Sequence, residues 1–220
     1  MSLRDYLFHE EPGIQLYCGD ALDVLPMLAS AGAVILDPPY SFESLSVRGR
    51  DDGAAGTSGA PVRLFHQALV ETYRLLDDGG IAPILCGWRR MPDVAYLAGL
   101  AGLRLSACVA WVKGTVGTGG LFRSAWDPIL VGTKGSPRLI DKAAVPNVIT
   151  LSPIMRGEHP YEKPPQLWAH FLRRIPPCVV VDPFTGTGAS ATAARRHGHS
   201  WIGIEVEPKY CEIAVKRLRQ

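Results

Sequence analysis

A chain of 220 residues with 47% hydrophobic and 20% charged residues has the composition of a soluble globular fold with a substantial core. A formal net charge of +2 gives no electrostatic announcement of a nucleic-acid partner, and no apolar run reaches the length of a membrane-spanning helix. The amino terminus, "MSLRDYLFHEEPG", lacks the apolar core of a secretion signal, so a cytoplasmic protein is expected.

In chain order, "IQLYCGD" (14–20) reads as a short strand and "ALDVLPML" as a helix reaching Ala29. "GAVILDPPY" is a continuous apolar strand with an abrupt stop. The glycine- and serine-rich stretch 41–60 that follows buries little and is expected to be a mobile loop. "PVRLFHQALVETYRLLDDGG" opens with proline and closes with glycines, as a helix does. "IAPILC" reads as a buried strand, and residues 91–101 as a helix. "LRLSACVAWVK" and "AWDPILVGTK" read as two longer strands flanking a glycine loop. Gly135 to Pro160 has weak periodicity. "KPPQLWAHFLRRI" is a helix, "CVVVDPFTGTGAS" a strand, glycine loop and helix start, "HSWIGIEVEP" a strand, and "EPKYCEIAVKRLRQ" an amphipathic helix. Alternating helices and apolar strands predict one α/β domain with a mostly parallel sheet covered on both faces.

The five cysteines are scattered with no Cys-x-x-Cys pair, so neither a disulfide framework nor a metal site is expected. Cys18, Cys86, Cys108 and Cys178 lie in or beside apolar stretches and read as buried thiols. His197-Gly198-His199 reads as a solvated turn. The arginine pairs Arg48/Arg50, Arg89/Arg90, Arg173/Arg174 and Arg195/Arg196 fit solvated helix ends at least as well as a phosphate-binding face.

Two stretches carry candidate chemistry. In "VVVDPFTGTGASATAA", Gly186 and Gly188 stand where a strand turns into a helix, and the next strand ends in Glu205. Ligands of open parallel sheets bind at such turns, and an acid at the following strand end can accept both ribose hydroxyls. Ala191 replaces the third glycine of the dinucleotide fingerprint, and Asp182-Pro183-Phe184 would crowd a pyrophosphate. A nicotinamide or flavin dinucleotide is therefore disfavoured, and a cationic nucleoside such as S-adenosylmethionine is favoured. The second stretch is Asp37-Pro38-Pro39-Tyr40. Methylation of an exocyclic base amine needs acceptors for both amine hydrogens, because the nitrogen lone pair is delocalised into the ring. Asp37 offers a carboxylate and Pro38 a carbonyl. The two prolines stiffen the backbone, and Tyr40 can stack on a flipped base.

Together "DPPY" (37–40) and "FTGTG" (184–188) resemble the paired signatures of the DNA amino-methyltransferases. The catalytic motif comes first and the cofactor loop last, as in the circularly permuted β class. "LYCGDALDVLPML", "WVKG" (111–114), "DPILVGTKG" (127–135), "HPYEKP" (159–164) and "IGIEVEPKYCEIAVKRL" resemble further stretches of that class in the same order. The resemblance implies a Rossmann-like methyltransferase fold with a seven-stranded sheet in the order 3-2-1-4-5-7-6. It implies S-adenosylmethionine as cofactor and direct methyl transfer to DNA, with Asp37, Pro38, Pro39 and Tyr40 catalytic. Asp20, Asp37, His159, Lys163, Asp182, Pro183, Phe184, Gly186, Gly188 and Glu205 are the implied cofactor-binding residues. Asp20 would meet the adenine and Glu205 the ribose, and the His159–Pro164 element would lead into a helix at the methionine end. The chain would divide into a catalytic half (about 14–134), a short recognition region (about 135–158) and a cofactor half (about 159–220). So short a recognition region leaves sequence specificity relaxed, shared across a homodimer, or supplied by a partner such as a restriction endonuclease. Asp at the first motif position favours adenine N6 as the target, with cytosine N4 the alternative. A catalytically silent DNA-binding relative, and a methyltransferase acting on protein glutamine or RNA, are less favoured readings.

Overall fold

The structure, a computed structural model, describes residues 1–38, 60–117, 121–154 and 161–219. Pro39, Tyr40, His159 and most of the loop predicted over 41–60 lie outside the described residues. A hairpin of β1 (Leu7–Glu11) and β2 (Ile14–Cys18) turns at Gly13, whose φ of +76° suits glycine. The helix expected up to Ala29 is only one α-helical turn, α1 (Ala21–Val24), followed by a 3-10 turn over Leu25–Met27. Pro26, which has no N–H to continue the ladder, accounts for the early stop.

There follow β3 (Ala31–Val34), α2 (Ala60–Leu75), β4 (Leu76–Leu85), α3 (Met91–Leu100), β5 (Arg104–Val112), β6 (Trp126–Thr133) and β7 (Val148–Thr150). The chain closes with α4 (Pro165–Leu172), β8 (Val179–Asp182), α5 (Ala189–Arg196), β9 (Ser200–Glu205) and α6 (Pro208–Leu218). No helix among the described residues is long and apolar enough to cross a membrane.

One mixed sheet takes the strands in the order β1-β2-β9-β8-β3-β4-β6-β5-β7. Parallel pairing runs unbroken from β2 through β9, β8 and β3 to β4, whereas β6 is antiparallel to both its neighbours. The sheet has nine strands where seven were expected, because both edges carry an addition. β1 is antiparallel to β2, and the three-residue β7 lies parallel to β5. β7 falls in the stretch of weak periodicity. The indole N–H of Trp111 holds the chain beside it, donating to the Leu151 carbonyl at 2.7 Å.

Alternate residues of the β3 run serve opposite faces of the sheet. Ala33 and Ile35 join a core beneath α4, α5 and α6, while Val34 and Leu36 join one beneath α1, α2 and α3. Double-sided burial is why this strand reads as a continuous apolar run. Its partner β8 lies more than 140 residues away in the chain. Each doubling of loop length costs only about 0.6 kcal/mol in closure entropy, whereas burying one large aliphatic side chain contributes about 1.5–3 kcal/mol. Burial therefore decides the pairing, and sequence distance does not.

Two expectations fail on burial. Cys108 is exposed on β5, while Cys211, on the inner face of α6, is buried. His199 is also buried. It accepts from the Cys178 amide at Nδ1 (3.2 Å) and lies 3.0 Å from the Leu172 carbonyl at Nε2, bracing the end of α4 against β8. Burial lowers its pKa, in keeping with a neutral imidazole.

Trp201 is fully buried on β9 with its ring across Gly203, where an added Cβ would sit 2.0 Å from Cη2. Gly203→Ala is expected to cost about 1–3 kcal/mol by overpacking, read as a lowered urea midpoint at unchanged slope.

Candidate active site

β8 pairs in parallel with β3 at Ala33–Val180 and Val34–Val181, and the Ile35 amide donates to the Val181 carbonyl at 2.8 Å. Asp182 ends β8, and Asp37 follows just beyond β3, so two carboxylates emerge side by side. The chain leaves β8 through α5 on one face and β3 through α2 on the other, which opens a crevice at the strands' carboxyl ends. A cleft of about 580 Å³ lies there, within the range of small-molecule sites. Its walls include Asp20, Asp37, Pro38, Lys163, Asp182, Pro183, Phe184, Gly186 and Glu205, gathered from five separate parts of the chain.

Asp182 is buried and held by neighbours on both oxygens. The Phe184 amide donates to Oδ1 at 3.0 Å, and the Ser190 hydroxyl donates to Oδ2. Ser190 in turn accepts from the Trp201 indole N–H at 3.0 Å. Burial pushes the Asp182 carboxyl up to about 7, and the charges of Asp37 and Glu205 push in the same direction. Its two hydrogen bonds oppose them.

Glu205, at the end of β9, is held by backbone alone. The Gly186 amide donates to Oε2 at 2.8 Å and the Glu207 amide to Oε1 at 2.9 Å. Each carboxylate oxygen keeps capacity for a further donor. Gly186 lines the cleft with φ of +52° and no atom near its missing side chain. Gly188 lies behind the loop with φ of +79°, and a Cβ there would come within 3.1 Å of the Ala214 Cβ. Its requirement for glycine comes from that left-handed φ and from the packing of α5 against α6. Asp20 caps α1 by accepting from the Leu22 amide at 2.8 Å, at the rim of the cleft beside Gly19.

Asp37 is met by Lys163, whose Nζ lies 2.8 Å from Oδ2 and 3.1 Å from Oδ1. The adjacent Glu162 is buried and pairs with Arg217 of α6, and Arg217 also donates to Thr187 of the glycine loop at 3.1 Å. Ser190, Glu162, Thr187 and Arg217 were not anticipated. Only Ser190 had a local signal, as a polar residue in an otherwise small and apolar helix start. Arg217 reads in sequence as an ordinary solvated position at a helix end.

Residues 147–216 match the N6_N4_Mtase family, described as DNA methylase. The type II methyltransferase M.HpaI of Haemophilus parainfluenzae is 26% identical over 241 residues, covering 93% of this chain and 74% of the relative. The chain is thus similar to DNA amino-methyltransferases, by family model over its carboxyl-terminal third and by relative over nearly its whole length. Among solved structures, an M1.HpyAVI–SAM complex superposes with a TM-score of 0.73 at 22% identity, covering 94% of this chain and 100% of the other. The cytosine-N4-specific PvuII DNA methyltransferase gives 0.73 at 17% identity, covering 93% and 86%. The two likenesses show a shared methyltransferase fold.

The raised Asp182 fixes the sign of one pH dependence. A carboxyl at about 7 in the folded state, against 3.8 ordinarily, contributes stability that is present at low pH and lost as pH rises through 7. In the ligand-free protein, Asp182→Asn should therefore gain stability relative to the wild type between pH 5 and pH 8, measured by denaturant unfolding. An equal offset at both pH values would contradict the assignment.

Proposed function

We propose that the cleft binds S-adenosylmethionine and that the protein transfers its methyl to an exocyclic amine of a DNA base, N6 of adenine. The observation that carries the reading is the convergence of Asp37, Asp182 and Glu205 on one cleft beside a glycine loop. Three carboxylates at one site suit a cationic nucleoside and repel a pyrophosphate. The fit is also local. Glu205 is fixed by two backbone amides with acceptor capacity left for ribose hydroxyls, and Asp20 stands at the rim as an acceptor for an adenine amine. Asp182 gains an ionic partner if a cation enters, which would favour its charged form.

When bound, the cofactor supplies a methyl already activated by its sulfonium. Asp37 accepts one hydrogen of the target amine, and the Pro38 carbonyl accepts the other. Holding both hydrogens draws the nitrogen lone pair out of conjugation and toward the methyl carbon. Asp37 would stabilise the positive charge that grows on the amine nitrogen as it accepts the methyl, and the surplus proton would pass to solvent. Pro38-Pro39 limits backbone freedom so that the two acceptors stay convergent, and Tyr40 stacks on the flipped base. Positioning and electrostatics supply the acceleration, with no covalent enzyme intermediate.

Adenine is preferred because Asp37 occupies the first position of the signature, as the resemblance to adenine-specific members implies. Cytosine N4 is the second reading. It is favoured by the fold shared with the cytosine-N4-specific PvuII enzyme, and it satisfies the same two acceptors. Incubation with labelled cofactor and mixed-sequence DNA, followed by nucleoside mass analysis, should yield N6-methyladenine. N4-methylcytosine would replace the first reading with the second, and an unlabelled DNA fraction would reject both. Asp37→Ala should lower turnover by a factor of about a thousand or more with cofactor affinity nearly unchanged, since it removes a transition-state contact. Glu205→Ala should instead weaken cofactor binding in calorimetry.

A further inference from the structure

The element "HPYEKP" was expected to serve the cofactor, yet Lys163 sets its ammonium on the carboxylate of Asp37, 126 residues away in the chain. The same Nζ donates to the Tyr161 carbonyl at 3.0 Å. The side chain is 7% exposed and that of Asp37 20%, so the pair is shielded from water on the lysine side. A buried ion pair of this kind is weak as a source of stability, because desolvation offsets most of the attraction. Fixing a lysine also removes several freely rotating bonds. The placement therefore calls for an explanation in what Asp37 must do.

We infer that Lys163 is a positioning residue for the amine-holding carboxylate of Asp37. An ammonium bridging both oxygens fixes the carboxylate plane, and each oxygen keeps acceptor capacity for the amine hydrogen of the base. It also places a cation beside one of three acids in the cleft, so that Asp37 faces the incoming amine and is not driven away by Asp182. The lysine is itself held from the glycine-loop side. Glu162, next to it, pairs with Arg217, and Arg217 donates to Thr187. Asp37, Lys163, Glu162, Arg217 and Thr187 thus form one ionic and hydrogen-bonded strap from the catalytic strand end to the cofactor loop. A small displacement of a reacting group can cost a hundredfold in rate, which is the effect the strap prevents.

This inference rests on the proposed methyl transfer to a base amine, and its test separates the two. Lys163→Ala should lower kcat by about a hundredfold while the cofactor Kd, from calorimetry, stays within about threefold. Propylammonium, which replaces the atoms removed, should restore a measurable part of kcat in that variant and leave the wild type unchanged. A rise in Kd of more than about tenfold with kcat at saturation intact would make Lys163 a cofactor ligand and overturn the inference. Unchanged kcat, or no response to propylammonium, would overturn it too. If the alanine variant does not fold, Lys163→Arg carries the test: kcat should stay within about tenfold of wild type with Kd unchanged, and an effect on Kd alone would contradict the role. Should the wild type transfer no methyl to DNA, the substrate reading fails, and the pair is still judged by thermal unfolding. Asp37→Asn and Lys163→Met should then be non-additive in a double-mutant cycle, and strict additivity would overturn the pairing.

Discussion

Two paired positions, Ala33 with Val180 and Val34 with Val181, hold the strand that ends in Asp182 against the strand that runs into Asp37. Everything at the site depends on that parallel contact. It aligns the carboxyl ends of strands that the chain visits far apart, and it does so at the point where the connections leave for opposite faces of the sheet. The crevice is a consequence of topology, and the chemistry of the residues at its mouth decides what it holds.

Bringing three acids to one cleft carries an electrostatic cost that the protein meets differently for each. Glu205 is anchored by two backbone amides, Asp37 by a lysine, and Asp182 by a hydroxyl and an amide. Burial raises the Asp182 carboxyl to about 7, so an electrostatic imbalance rests on the most buried of the three. A cation entering the cleft relieves that imbalance. That relief favours a positive ligand such as a sulfonium nucleoside over a dinucleotide pyrophosphate.

Much of this was legible in the residues. The continuous apolar runs announced double-sided burial, and the glycine loop and the abrupt stop at Asp37 marked the two strand ends that meet at the cleft. What escaped were features set by tertiary packing. β1 and β7 are short edge strands whose pairing comes from neighbours, not from their own periodicity. α1 stops early because Pro26 outweighs the apolar spacing. Gly188 meets Ala214 on a helix 26 residues later, a packing demand that adds to its left-handed φ and that no local pattern reveals. Lys163 was expected at the cofactor, and only the folded chain shows its ammonium on Asp37. No spacing rule could have found that contact, since a lysine's reach spans several possible partners.

On the proposed function, a single cleft holds the cofactor between Glu205 and Asp37. A crystal structure of the protein with S-adenosylhomocysteine, the product form of the cofactor, tests it most directly. The ribose hydroxyls are expected on the Glu205 carboxylate, the ammonium near Asp182 and the sulfur facing Asp37. A ligand seated elsewhere, or one whose sulfur points away from Asp37, would contradict it.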